Sequence, residues 1–306
     1  MSQAAFRVGA SAESANGLPV TINESLDILE RIGTDTVELP LLWMELVANG
    51  EVMPARLEEL RQALAGRPFG YSAHAAIGIN FMSDPVYLDL HVRLARAHLE
   101  ISAELGCEHM VLHTGFCPPH FAKPQIERLY DQQRETFLKL GEEAKAAGVI
   151  LCVENIFAEK GNRLTATPSR LAKELRLINH SHVMACLDIS HAALHCDSLG
   201  LDLMEEAAPL VPLAKHVHIH DSFGRTSNIP VHTQQEALGL GVGDLHLPIG
   251  WGNLPFNEIV CLDRFPKDTI FNIELNKHRW HAIEETVVEA RRLARVAFER
   301  SSVEAV

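Results

Sequence analysis

The stretch EAKAAGVILCVEN, residues 143–155, carries the pattern on which the architecture turns. Its first half closes the helical periodicity of ERLYDQQRETFLKLGEEAKAAG (127–148), which stops at Gly148 between a helix and the next strand. Its second half, VILCVEN (149–155), is a short apolar run that reads as a strand. That strand ends on Glu154, and a carboxylate buried there is costly unless it is paired or bound to a metal.

The same unit recurs on either side. FRVGAS (6–11), TVELP (36–40), FGYSAH (69–74), HMVLHT (109–114), VMACLDIS (183–190), HVHIHD (216–221) and TIFNIEL (269–275) join 149–155 as eight candidate strands. Helical patterns lie between them, such as LARAHLEISAEL (94–105), and HAIEETVVEARRLARVAFER (281–300) ends the series; Gly33 and Gly106 are further helix stops. Eight alternations predict a closed parallel α/β barrel, a (β/α)8 TIM barrel. The competing doubly wound sheet loses support because no G-x-G-x-x-G follows the first strand. A barrel of about 250 residues plus insertions fits the 306-residue chain as one domain over 1–306, and no linker or low-complexity segment divides it. The long irregular region 221–253, before the last strand, belongs on the catalytic face.

The net charge of −13 repels polyanions unless basic residues cluster or bound cations reverse it, so nucleic acid is a disfavoured partner. The six cysteines show no C-x-x-C spacing and read as reduced thiols. No leader pattern and no apolar run near ~18 residues is visible, so the expectation is a soluble cytoplasmic protein without a membrane partner. The apolar LLWMELV segment (41–47) suits either the site mouth or a neighbouring subunit of a homo-oligomer.

The strand ends gather chemistry that core packing does not ask for: His74, His113, Glu154, Asp188, a histidine around 218, and Glu274. In a barrel these ends converge on one pocket. Imidazoles and carboxylates are the ligands of Zn²⁺, Mn²⁺ and related ions. A single strand histidine is more often structural, but Glu154 in LCVEN and Glu274 in FNIEL follow hydrophobic residues, where a structural role is harder to sustain. His191 follows Asp188 by three residues and reaches back over the pocket. His216, His218 and His220 alternate onto one face, and periodicity does not choose among them.

These residues resemble the xylose isomerase-like metal-dependent barrels, the superfamily of sugar isomerases and epimerases that also contains endonuclease IV. The resemblance spans nearly the whole chain and is carried by SAHAAIGIN, VLHTG, VENI, LDISHA, HVHIHD, DLHLPIGWGN and NIEL. It implies a metal held by Glu154, Asp188, His218 and Glu274, which selects His218 from the trio. Similarity to the endonuclease IV-like members extends this to three sets: His74, His113 and Glu154; Glu154, Asp188, His218 and Glu274; and His191, Asp244 and His246. One to three divalent ions, zinc or manganese, are then expected per chain. Asp244 and His246, two apart, would point the same way on an extended segment.

Two chemistries compete. The first is an isomerase, epimerase or related lyase of a small sugar, polyol or keto acid. In it Glu154 and Glu274 exchange a proton beside a metal-polarised carbonyl, His191 orients a substrate oxygen, and Arg225, Lys277 or His278 bind the substrate. The second is a multinuclear phosphodiester or phosphoester hydrolase, favoured by the complete nine-residue pattern. The loops weigh against it, because LPLLWMELVANGEVMP has no Lys or Arg and AAIGINFMS has no aromatic residue beside His74. A metal-binding sensor is the weakest reading, since so many buried ionisable groups are costly without chemistry to perform.

Overall fold

The predicted alternation closes into a barrel. The computed structural model describes residues 5–14, 16–158, 163–226 and 229–302. Strands β1 (Arg7–Ser11), β2 (Thr36–Leu39), β3 (Gly70–His74), β4 (Cys107–His113), β5 (Ile150–Glu154), β6 (Val183–Asp188), β7 (Ala214–Ile219) and β8 (Ile270–Ile273) run parallel in chain order. β8 pairs back onto β1, from Arg7↔Ile270 to Ala10↔Ile273, so the barrel sheet keeps no edge. Helices α1 (Asn23–Ile32), α2 (Pro54–Leu64), α3 (Pro85–Glu104), α4 (Lys123–Ala147), α5 (Pro168–Ile178), α6 (Ile189–Leu199), α7 (Leu203–Ala207), α8 (Gln234–Leu240), α9 (Phe256–Ile259) and α10 (Ile283–Ser302) follow or connect the strands. Among the described residues, no helix is long and apolar enough to cross a membrane. All six cysteines are free, and only Cys261 is exposed.

The two-residue period of a strand sorts the side chains. Val37, Leu39, Met110, Leu112, Val217 and Ile219 join the large core between barrel and helices. Their neighbours point inward, where Val111, Cys152 and Cys186, with Ile150 against them, form a separate apolar cluster. Much of the remaining interior is polar: Thr36, Glu38, Ser72, His109, His216 and Asn272 are all at most 3% exposed. This departs from the branched aliphatic layers that usually fill such barrels.

Element ends follow local chemistry. α4 stops at Gly148, whose φ of +74° places it in the left-handed region. The sixth strand ends at Asp188 rather than at 190, because the Asp188 carboxylate accepts the His191 N–H at 2.6 Å and starts α6 there. α3 begins at Pro85, well before the predicted 94, since Asp84 accepts the Val86 N–H.

The region after β7 is anchored at one residue. Asp221 and Leu247 exchange backbone hydrogen bonds of 2.8 and 2.9 Å, and the Asp221 carboxylate accepts the N–H groups of Gly250, Gly252 and Leu254. At Gly252 a Cβ would collide with the Ser222 carbonyl and the Asp221 carboxylate. The predicted extended run at 244–246 is not what forms: His246 has φ of +46°, in the left-handed region. The bridge at Leu247 and a hydrogen bond from His246 Nδ1 to the Glu274 carbonyl impose that turn.

Candidate functional site

Register sets the strand ends beside one another. His113 lies opposite Glu154 across β4 and β5, and Asp188 opposite His218 across β6 and β7. Above them opens a cavity of about 750 Å³ whose lining includes His74, His113, Glu154, His191, Asp244, His246 and Glu274. Asp188 and His218 are fully buried and are not part of that lining. All nine residues expected as ligands are therefore neighbours of one cavity.

They form three overlapping groups. Glu154 Oε2 lies 3.2 Å from His74 Nε2 and 3.5 Å from His113 Nε2. His218 Nδ1 faces Glu274 at 3.4 Å, Glu154 Oε1 at 3.5 Å and Asp188 at 3.9 Å. Asp244 Oδ2 meets His246 Nε2 at 2.9 Å and His191 Nε2 at 3.2 Å. The first and third groups coincide with clusters whose ligand atoms lie mutually close enough for one ion, the third gaining His220. Asp244 and His246 thus still converge on His191, through the turn at His246 rather than along a strand.

Backbone carbonyls set two of the ring tautomers. A carbonyl only accepts, so His74 Nδ1 donates to Ala75 O at 2.8 Å and His246 Nδ1 donates to Glu274 O at 2.9 Å. Both rings then turn Nε2 into the site. Glu154 Oε1, His218 Nδ1 and Asp244 Oδ1 are buried without a well-directed hydrogen bond, although Glu154 Oε1 comes within 3.0 Å of His191 Nδ1. Buried polar atoms are normally satisfied. Orphaned carboxylate and imidazole atoms that face one another fit a divalent cation, for which nitrogen and oxygen donors are suitable ligands.

Electrostatics agree with that fit. Burial opposes ionisation of Glu154, yet His218 and His113 hold its carboxyl well below the usual range. Burial likewise opposes Asp244, and His246 and His191 outweigh it. Burial works against a charged His74, but Glu154 raises it to about 9. His246, buried beside Asp244, is likewise raised to about 9. Burial dominates at His113 and drops it to about 3. Protons on the imidazoles balance carboxylates that a cation would otherwise balance.

Of the residues expected to bind substrate, Lys277 lines the cavity, whereas Arg225 and His278 are exposed outside its lining. Leu42 and Trp43 of the 41–47 segment are part of the cavity wall, and Trp43 is 63% exposed. Two further residues join the site, His220 of the alternating trio and Glu38, which the sequence pattern did not single out. His220 contacts Asp188 Oδ2 through Nε2 at 3.0 Å and stacks on His246 with centroids 3.8 Å apart. Glu38, fully buried on β2, lies 3.2 Å from His218 Nε2. Its signal was present, since TVELP sets a carboxylate in an apolar run just as LCVEN does.

Known proteins share this architecture. The crystal structure of a D-tagatose 3-epimerase-like protein is 21% identical over 97% of this chain and 98% of that one, with a TM-score of 0.67. A D-allulose 3-epimerase from Methylomonas sp. in complex with D-allulose is 15% identical over 96% of each chain, TM-score 0.64. A Thermus thermophilus protein soaked with zinc chloride is 22% identical over 94% of this chain and 97% of that one, TM-score 0.62. At these identities the likeness is one of fold. No curated protein sequence matches the chain. The family model described as xylose isomerase-like TIM barrel matches residues 26–296, most of the chain, and the protein belongs to that family.

Proposed function

We propose that this chain is a divalent-metal-dependent isomerase or epimerase, or a related lyase, of a small sugar, polyol or keto acid. The observation that carries the reading is the pair Glu154 and Glu274, both within 3.5 Å of His218 Nδ1 beside the cavity. A zinc or manganese ion held by Glu154, Asp188, His218 and Glu274 would polarise the substrate carbonyl. One of the two glutamates takes a proton from the carbon beside that carbonyl, and the other returns one. Its histidines keep Glu154 in the ionised form that a base requires. His191 and Lys277 reach substrate oxygens from the wall. That relatives of the same fold are named as sugar epimerases supports the substrate class.

The completeness of the His191, Asp244 and His246 group favours a second reading, a multinuclear phosphoester hydrolase. The cavity wall weighs against it, because among the described residues Lys277 is the only Lys or Arg in the lining, beside Glu13 and Glu45. Incubating the manganese-loaded protein with ketoses and aldoses in deuterated water decides between them. Incorporation of deuterium beside the carbonyl is expected, with Glu154→Gln and Glu274→Gln each lowering turnover by roughly 100-fold or more. Cleavage of bis(p-nitrophenyl) phosphate without any exchange in the sugar panel would establish the hydrolase instead.

A further inference from the structure

The polar half of the barrel interior converges on one carboxylate. Glu38 Oε1 accepts from the Ser11 hydroxyl at 2.9 Å and from Asn272 Nδ2 at 3.2 Å, while Oε2 lies 3.2 Å from His218 Nε2. His216 Nε2 approaches the same Oε2 at 3.1 Å, close in distance though poorly directed, and its Nδ1 meets His109 Nδ1 at 3.2 Å. Each of these groups is buried or half-buried, and Glu38 itself is 0% exposed. So polar a network in a barrel core depends on such pairings, although Asn272 Oδ1 and His216 Nε2 within it lack a well-directed partner. The atom that remains without a well-directed partner at its upper end is His218 Nδ1.

We infer that Glu38 is a positioning residue, which holds His218 as the Nε2–H tautomer and leaves the Nδ1 lone pair for a divalent cation among Glu154, Asp188 and Glu274. An ionised carboxylate only accepts hydrogen bonds, so the nitrogen facing Glu38 carries the proton. Its Oε1 already accepts from Ser11 and Asn272, and its Oε2 faces imidazole nitrogens, so Glu38 is placed as an acceptor. The opposite tautomer would donate Nδ1–H to Glu274 or Glu154 and close the site without a cation. Fixing the tautomer from behind is what lets three carboxylates and one imidazole serve as ligands together. Glu38 also lines the cavity, and the role inferred here is the one it exerts through His218. The inference rests on the metal-centre reading above and extends it to a residue outside the four ligands.

The test is a double-mutant cycle on zinc affinity, measured by chelator competition for the full chain, Glu38→Gln, His218→Ala and both together. Glu38→Gln is expected to weaken zinc about 10-fold or more in the native background and to cost nothing further in the His218→Ala background. Unchanged affinity in Glu38→Gln overturns the inference, as does an equal loss in both backgrounds, which marks a general effect on the fold. Should Glu38→Gln fail to melt cooperatively, the zinc-loaded native protein with nitrogen-labelled histidine gives the answer directly. The imidazole signal that disappears in His218→Ala should carry its proton on Nε2, and a proton on Nδ1 overturns the inference. A native chain that binds no zinc or manganese removes both this inference and the proposed function. Intact coupling in a protein without sugar exchange activity removes only the latter.

Discussion

Gly252 and Glu38 are single positions where backbone and carboxylate chemistry bear on the site. Gly252 lets the chain pass against Asp221, whose carboxylate gathers the N–H groups of Ser222, Gly250, Gly252 and Leu254 and thereby holds the segment carrying Asp244 and His246. Gly252→Ala forces that contact apart and should destabilise the protein by about 1–3 kcal/mol. Urea unfolding measures it, and an unchanged midpoint would refute the account of this turn. The histidines and carboxylates at strand ends were legible because each breaks an apolar run, and by the same logic Glu38 was legible too. What periodicity cannot supply is who faces whom. His216, His218 and His220 alternate alike in sequence, yet the structure pairs His216 with His109, His218 with four carboxylates and His220 with Asp188.

Among the elements, α3 shows how a helix is tied to the site by a neutral imidazole. His98, buried on α3, accepts the Ala76 N–H through Nδ1 at 3.0 Å and so anchors the turn that follows β3 and His74. Burial, reinforced by the nearby His74 cation, lowers His98 to about 4. The sign follows from the two states. Above its ordinary value of about 6.5 the ring is neutral folded and unfolded; below it the unfolded chain takes up a proton that the folded chain refuses, and stability falls until pH reaches about 4, where the penalty saturates. Roughly 3 kcal/mol is at stake across that window. His98→Gln, which can keep an acceptor but has no titrating ring, should show a correspondingly shallower loss of unfolding free energy between pH 6.5 and 4. Identical pH slopes for the two proteins would exclude His98 as the cause. The elements were readable where a glycine or a strong apolar run bounded them, as at Gly148. They were misjudged where a side-chain cap decided the boundary: Asp84 starts α3 early, and Asp188 ends β6 early. A carboxylate in an apolar run announces a site, and the same carboxylate can cap a helix, a double use that Asp188 makes visible only in three dimensions.

Across the molecule, the barrel itself was the most legible feature, because eight alternations leave few closed arrangements and parallel pairing in chain order is the simplest of them. The turn at 244–246 was the least legible, since it depends on a bridge to Asp221 more than twenty residues away. The same comparison bears on charge. The chain carries −13 overall, and Glu38, Glu154, Asp188 and Asp244 are all held below the usual carboxyl range inside one end of the barrel. Without a metal, protons on His74, His191, His218 and His246 offset them. A divalent cation would do so without occupying the imidazole lone pairs with protons, and it would bind the folded chain, where the ligands converge, in preference to the unfolded one. Folding stability is then linked to metal by mass action, gaining about 2.7 kcal/mol at a free concentration 100 times the dissociation constant. With an unfolding entropy of about 2.1 cal/mol/K per residue, that gain raises the melting temperature of a chain of this length by roughly 4 °C. Manganese is the better probe, because zinc also binds the six cysteines and 17 histidines of the unfolded chain and so understates the effect. Protein stripped with EDTA should melt lower and regain the difference on adding manganese, and His218→Ala should recover much less. Equal melting temperatures with and without saturating manganese in the native chain would mean that these converging carboxylates and imidazoles hold one another and not an ion.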